Sequence, residues 1–136
     1  MNEAPLTPLS TLIVDDSVNT AASLAMLVEG WGHRAMVAHD GPTALRLAAE
    51  NSFDVVFLDV GMPQMTGWEL AERLRQLPTT ADAYLVVISG YGQTLNQVVS
   101  QTAGCDLHLV KPTEPEVLRV LLNSRQKAKQ AQGSRA

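Results

Sequence analysis

An open, doubly wound α/β sheet is the fold class this sequence predicts, on three observations. Five short apolar, β-rich runs recur along the chain: Thr11 to Asp15, His33 to Ala38, Val55 to Asp59, Leu85 to Ser89 and Leu107 to Val110. Helical stretches alternate with them, the pattern of parallel strands joined by right-handed crossovers, with helices on both faces of the sheet. The third run, Val55-Val56-Phe57-Leu58, is apolar at successive positions, which suits a central strand buried on both sides.

Each element has its own signal. Residues 1–9 hold two prolines and little periodicity and read as a loose leader. From Ser17 to Trp31, Val18, Ala21, Ala22, Leu24, Ala25 and Val28 recur at helical spacing, and Gly30 and Gly32 bracket the helix end. Asp40 suits the N-cap of a second helix, with Pro42 in its first turn and Ala44, Leu45, Leu47 and Ala48 toward the sheet. Thr66 and Glu69 have capping-box spacing for a third helix reaching Leu77. An uncharged fourth helix is expected around Leu95 to Ala103. Thr113 and Glu116 repeat the capping-box pattern, with Pro115 in the first turn, for a last helix through Val117, Leu118, Leu121 and Leu122.

A chain of 136 residues fits one core without disulfides or structural metal. No apolar run approaches the roughly 20 residues that span a bilayer, and the N-terminus lacks the basic start and apolar stretch of a signal peptide. The lone Cys105 cannot form an internal disulfide, which fits a reducing cytoplasm, and reads as a small buried apolar residue. Residues 124–136 carry four basic side chains and no acid, so the net charge of −4 is −8 over residues 1–123. That acidic body argues against nucleic-acid binding, and the basic end reads as a solvated, frayed helix end.

In parallel sheets, chemistry gathers at the carboxyl ends of the strands. There the first strand runs into Asp15-Asp16, the third into Asp59, the fourth into Ser89 and the fifth into Lys111-Pro112. Three carboxylates on adjacent strand ends repel one another unless a cation sits among them. A hard ion such as Mg²⁺ takes oxygen ligands of that kind, together with waters and a phosphate oxygen. Asp59 is best placed as a nucleophile that forms an acyl phosphate. The cation, the Lys111 ammonium and the Ser89 hydroxyl would then each take a phosphoryl oxygen. The plainer alternatives are helix capping by Asp15 and Asp16, a solvated lysine and a strand-end hydroxyl. The concurrence of all five residues favours the site.

These residues, in this order and spacing, resemble the receiver domain of two-component response regulators over about residues 10–123. The resemblance rests on Val14-Asp15-Asp16, on Leu58-Asp59-Val60-Gly61-Met62-Pro63-Gln64-Met65-Thr66-Gly67, on Leu109-Val110-Lys111-Pro112, and on Ser89 following Asp59 by thirty residues. It implies a flavodoxin-like (βα)5 fold with strand order 2-1-3-4-5. The implied boundaries are a leader over 1–9, the receiver domain over 10–123 and a basic helix end over 124–136. It also implies Asp59 as phosphoacceptor, with Mg²⁺ on Asp16, Asp59 and the Gly61 carbonyl and with Asp15 acting through a bound water. Ser89 matches the switch hydroxyl and Lys111 the phosphate-binding lysine, with a cis peptide expected at Lys111-Pro112.

One departure stands out. The family's usual switch aromatic lies three residues before the lysine, where this chain has His108, while Tyr91 places an aromatic just after Ser89. His108 or Tyr91 is then the candidate for that part. The expected activity is a phosphorylation-dependent signalling switch, not an enzyme in its own right. It takes phosphate from the phosphohistidine of a histidine kinase or phosphotransfer protein and hydrolyses it slowly. Downstream partners, or a second copy in a homodimer, are expected on the surface of the uncharged fourth helix, the fifth strand and the last helix. No nucleic acid or membrane is expected as a partner. The alternatives are a receiver module within a hybrid sensor kinase and a phosphate-independent interaction module. A haloacid-dehalogenase-type phosphatase would need a second Asp where Gly61 stands, and a flavin carrier would find its phosphate repelled by Asp15-Asp16. His33 and His39 are expected to lie away from the acids, and Trp31 and Trp68 to be packing residues.

Overall fold

The computed structural model describes residues 7–62, 65–90 and 104–133. Its strands are β1 (Ser10–Val14), β2 (Arg34–Ala38), β3 (Val55–Asp59), β4 (Tyr84–Ser89) and β5 (Leu107–Val110). The helices among the described residues are α1 (Val18–Gly30), α2 (Gly41–Glu50), α3 (Gly67–Arg75) and α4 (Pro115–Gly133). All strands pair in parallel, in the order β2-β1-β3-β4-β5, which is the expected doubly wound sheet. The helix expected over 95–103, and Tyr91, lie outside the described residues.

Alternation along the strands sends side chains to two cores. Leu12, Val14, Val56, Leu58, Leu85 and Val87 face α2 and α3 and meet Ala44, Ala48, Leu70, Ala71 and Leu74. Ile13, Val55, Phe57, Val86 and Ile88 face the opposite way and meet Ala21 and Val28 of α1 and Leu118 and Leu122 of α4. Since β1, β3 and β4 are covered on both sides, only their ends are free to present polar groups.

The caps follow the sequence closely. Ser17 accepts from the Thr20 N–H, Asp40 from Thr43 at 2.7 Å and Thr66 from Glu69 at 3.2 Å. Three expectations shift. First, α3 stops at Arg75 rather than Leu77, because Leu77 precedes Pro78 and a residue before proline is driven out of the helical region. Second, Glu116 pairs with Arg119 instead of Thr113, and α4 starts on Pro115 with the Glu114 carbonyl receiving the Val117 and Leu118 N–H groups. Third, the basic end is not frayed: α4 runs to Gly133, with the Arg125 guanidinium 4.4 Å from the centre of the Tyr84 ring and Lys129 Nζ 3.0 Å from Asp54 Oδ2.

Candidate functional site

Parallel pairing lines up the carboxyl ends of β1, β3 and β4 and the loop after β5, and so converges residues that lie far apart in the sequence. Asp15 and Asp59 are buried, whereas Asp16 is exposed at the rim. Ligand oxygens of the three carboxylates lie within 4.8 Å of one another. Lys111 comes from the far side of the sheet and sets its Nζ 3.4 Å from Asp59 Oδ1 and 3.5 Å from Asp15 Oδ2. The Lys111-Pro112 peptide is cis, as expected.

The surroundings of each acid differ. Asp15 Oδ1 accepts from the Ser17 N–H at 2.9 Å, which ties it to the start of α1. Asp59 Oδ1 accepts from the Gly61 N–H at 3.3 Å. Burial dominates at Asp59 and pushes its carboxyl above the ordinary carboxylate value; the Gly61 N–H opposes this, Asp15 adds to it, and Lys111 opposes it. One ammonium therefore faces a surplus of negative charge in a poorly solvated cleft, the setting in which an added cation gains most.

The cleft is also closely built. A Cβ on Gly67 would lie 2.8 Å from the Asp59 carbonyl oxygen, so only glycine lets α3 begin against the end of β3. On the opposite flank a groove of about 570 Å³ runs between α1 and α4. Leu24, Leu27, Ile88, Pro112 and Leu118 line it, and Asp15 and Lys111 stand at its edge.

Ser89 is buried at the end of β4, and its Oγ lies 2.8 Å from His108 Nε2 on β5. His108 in turn stacks on Trp68, with ring centroids 5.9 Å apart and 26° between planes. Burial lowers the His108 pKa below the ordinary imidazole value.

Two residues escaped the sequence reading. His39 was expected away from the acids, yet its Nδ1 lies 3.0 Å from the Asp15 carbonyl oxygen, because β2 is the direct neighbour of β1. Trp68, read only as packing, is the partner of His108. The strand order was the one signal that could have found His39; nothing local pointed to Trp68.

This sheet and this cluster of acids define a doubly wound α/β domain with an acidic pocket at the carboxyl ends of its strands. The chain belongs to the response regulator receiver domain family, whose model matches residues 11–123. It is 34% identical over 103 residues to the gliding motility regulatory protein of Myxococcus xanthus, covering 76% of this chain and 13% of that protein. It is 28% identical to protein PilH of Pseudomonas aeruginosa, covering 83% of this chain and 93% of PilH. A crystal structure of a CheY-like receiver domain protein from Methanospirillum hungatei superposes with a TM-score of 0.81 at 25% identity, over 93% of this chain and 99% of that one. The chain thus spans a small part of the first relative and nearly all of the second. The fold is the flavodoxin-like receiver fold, and the protein is a receiver domain of two-component signalling.

Proposed function

We propose that this domain is a phosphorylation switch in which Asp59 takes a phosphoryl group from a phosphohistidine of a histidine kinase or phosphotransfer protein. A carboxylate oxygen of Asp59 attacks phosphorus. The new P–O bond forms as the P–N bond breaks, and the imidazole leaves with the bonding pair and takes up a proton. Lys111 is the positive group that meets the incoming phosphoryl oxygens, and Ser89 donates its hydroxyl proton to one of them once the acyl phosphate exists. Water attack on phosphorus later releases inorganic phosphate and restores the carboxylate. The observation that carries this reading is Asp59 at the end of the central strand, with the Lys111 ammonium 3.4 Å from Oδ1.

Asp15, Asp16 and Asp59 suit a small hard cation. Their spread of up to 4.8 Å is close to the roughly 4 Å that separates opposite oxygens around Mg²⁺. The Asp16 and Asp59 carboxylates and the Gly61 carbonyl would hold the ion, with Asp15 acting through water. When bound, it would neutralise phosphoryl oxygens and offset the crowding of the acids. Receiver boundaries of 10–123, a cytoplasmic setting and partner binding through β5 and α4 complete the proposal. Val110, Val117 and Val120 stand exposed on that face, as a docking surface requires.

The test is phosphorylation by acetyl phosphate with Mg²⁺, followed by intact mass. Wild type should gain one phosphoryl group, and Asp59→Asn and Lys111→Ala should lose it. Labelling of Asp59→Asn at the wild-type level would remove Asp59 from the role.

A further inference from the structure

The peptide between Asp15 and Asp16 is held from the side by β2. β1 and β2 pair in parallel with Val14 opposite Ala38, and their ladder runs one rung past the strands, where the Asp15 N–H donates to the Ala38 carbonyl at 3.0 Å. The alternation of a parallel ladder would bring the next donor, the Asp40 N–H, to the Asp15 carbonyl. Asp40 is committed to capping α2, where its carboxylate accepts from the Thr43 N–H at 2.7 Å. The His39 side chain supplies that rung: its Nδ1 lies 3.0 Å from the Asp15 carbonyl oxygen. A carbonyl oxygen only accepts, so Nδ1 carries the hydrogen and donates. The Asp15 carbonyl and the Asp16 N–H share one planar peptide unit. A bond that fixes the first therefore also fixes where the Asp16 side chain begins.

We propose that His39 is a positioning residue for a cation held by the three acids: through the Asp15 carbonyl it sets the placement of the Asp16 carboxylate and so favours Mg²⁺ over larger ions. This rests on the cation reading given above. The other two acids have anchors of their own. Asp15 accepts from the Ser17 N–H, Asp59 accepts from the Gly61 N–H, and both face Lys111. Asp16 stands exposed at the rim and has no hydrogen-bond or ion-pair partner among the described residues. Its carboxylate is therefore placed by the backbone beneath it, and the His39 bond ties that backbone to β2. Groups behind a metal ligand matter because they hold it in one orientation. Mg²⁺ demands near-ideal octahedral geometry, whereas Ca²⁺ accepts a flexible shell. Loosening Asp16 then penalises the smaller ion more, which a general loss of structure would not do.

The experiment is a calorimetric titration of the full chain with Mg²⁺ and, separately, with Ca²⁺. His39→Ala should bind Mg²⁺ about three- to tenfold more weakly than the parent, the factor expected from losing one neutral hydrogen bond behind a ligand. Its loss for Ca²⁺ should stay under about twofold, given that ion's flexible shell. His39→Asn, whose side-chain amide places an N–H where Nδ1 stands, should restore most of the Mg²⁺ affinity. In an Asp16→Asn background, His39→Ala should have no further effect. Should His39→Ala not fold, His39→Phe fills the same space without a donor and takes its place. If the donor-free variant, native by circular dichroism, binds Mg²⁺ as the parent does, weakens both ions equally, or acts the same with and without Asp16, the role of His39 is refuted and the cation reading stands. If the parent binds neither ion, or Asp16→Asn binds Mg²⁺ like the parent, the cation reading falls and this inference with it.

Discussion

The two ends of the sheet hold the same residue types in opposite states of balance. At the amino-terminal end, Asp54 Oδ2 accepts from the Ser10 N–H at 2.8 Å and meets Lys129 Nζ at 3.0 Å. Nearby, Asp106 Oδ2 accepts from the Leu85 N–H at 2.8 Å and pairs with Arg75 at 2.5 Å. His33 is buried there as well, and its Nδ1 accepts from the Leu9 N–H at 3.0 Å. Every such charge has a fixed protein partner. At the carboxyl-terminal end, Asp15 and Asp59 share the Lys111 ammonium beside the exposed Asp16, and burial pushes the Asp59 carboxyl up. Paired acids at one end hold strands in register. Under-paired acids at the other leave a demand for positive charge, which a bound cation would meet.

The sharpest way to break that contrast is to neutralise one acid at each end. Asp59→Asn should cut labelling by acetyl phosphate at least about 100-fold, as loss of a nucleophile does, while Asp54→Asn should label like wild type. Equal losses in intact-mass assays would mean that the two ends do not differ in function. Next in size, Gly67→Ala should cost about 1–3 kcal/mol in urea unfolding, since its Cβ would press on the Asp59 backbone with no flexible neighbour to give way.

The same two acids also make opposite predictions for stability. Asp59 has a folded-state pKa above its ordinary value of 3.8, so ionising it costs folded stability as pH rises through that higher value. In chelator near neutral pH, Asp59→Asn should therefore melt a few degrees above wild type. The gap should close in acid, where wild-type Asp59 is protonated. Asp54→Asn should instead melt lower, by about 1–2 kcal/mol of lost charge-assisted bonding. Thermal scans across pH check both signs; two shifts in one direction would undo the contrast.

His33 gives a further pH signature at the structural end. Burial lowers its pKa below 6.5, so its contribution is complete above that value and declines as acid charges the ring. His33→Gln should flatten this part of the stability curve. The smallest effect belongs to Lys129→Ala: the ion pair is partly exposed, so the loss should stay under about 1 kcal/mol and shrink in high salt.

Most of the fold was legible because its signals are local. Apolar runs marked the strands, and Asp40 and Thr66 announced their helices. The three carboxylates and Lys111 were legible as one cluster because they lie at or just past strand ends, and parallel strands end together. Contacts set by which strand or helix lies beside which were not. His39 reaches Asp15 only because β2 borders β1, and Lys129 reaches Asp54 only because α4 continues past the sheet. The capping-box spacing of Thr113 and Glu116 misled because Arg119 offered Glu116 a charged partner one turn on.

Local patterning set the alternation of strands and helices, the caps at Asp40 and Thr66 and the inventory of charged groups at each strand end, since all of these depend on residues close together in the chain. Packing decided how those groups are shared: Lys111 between Asp15 and Asp59, His108 on Ser89, a basic helix end fastened to Asp54. Charge balance depends on distances through space, and only packing of the sheet against its helices sets those distances.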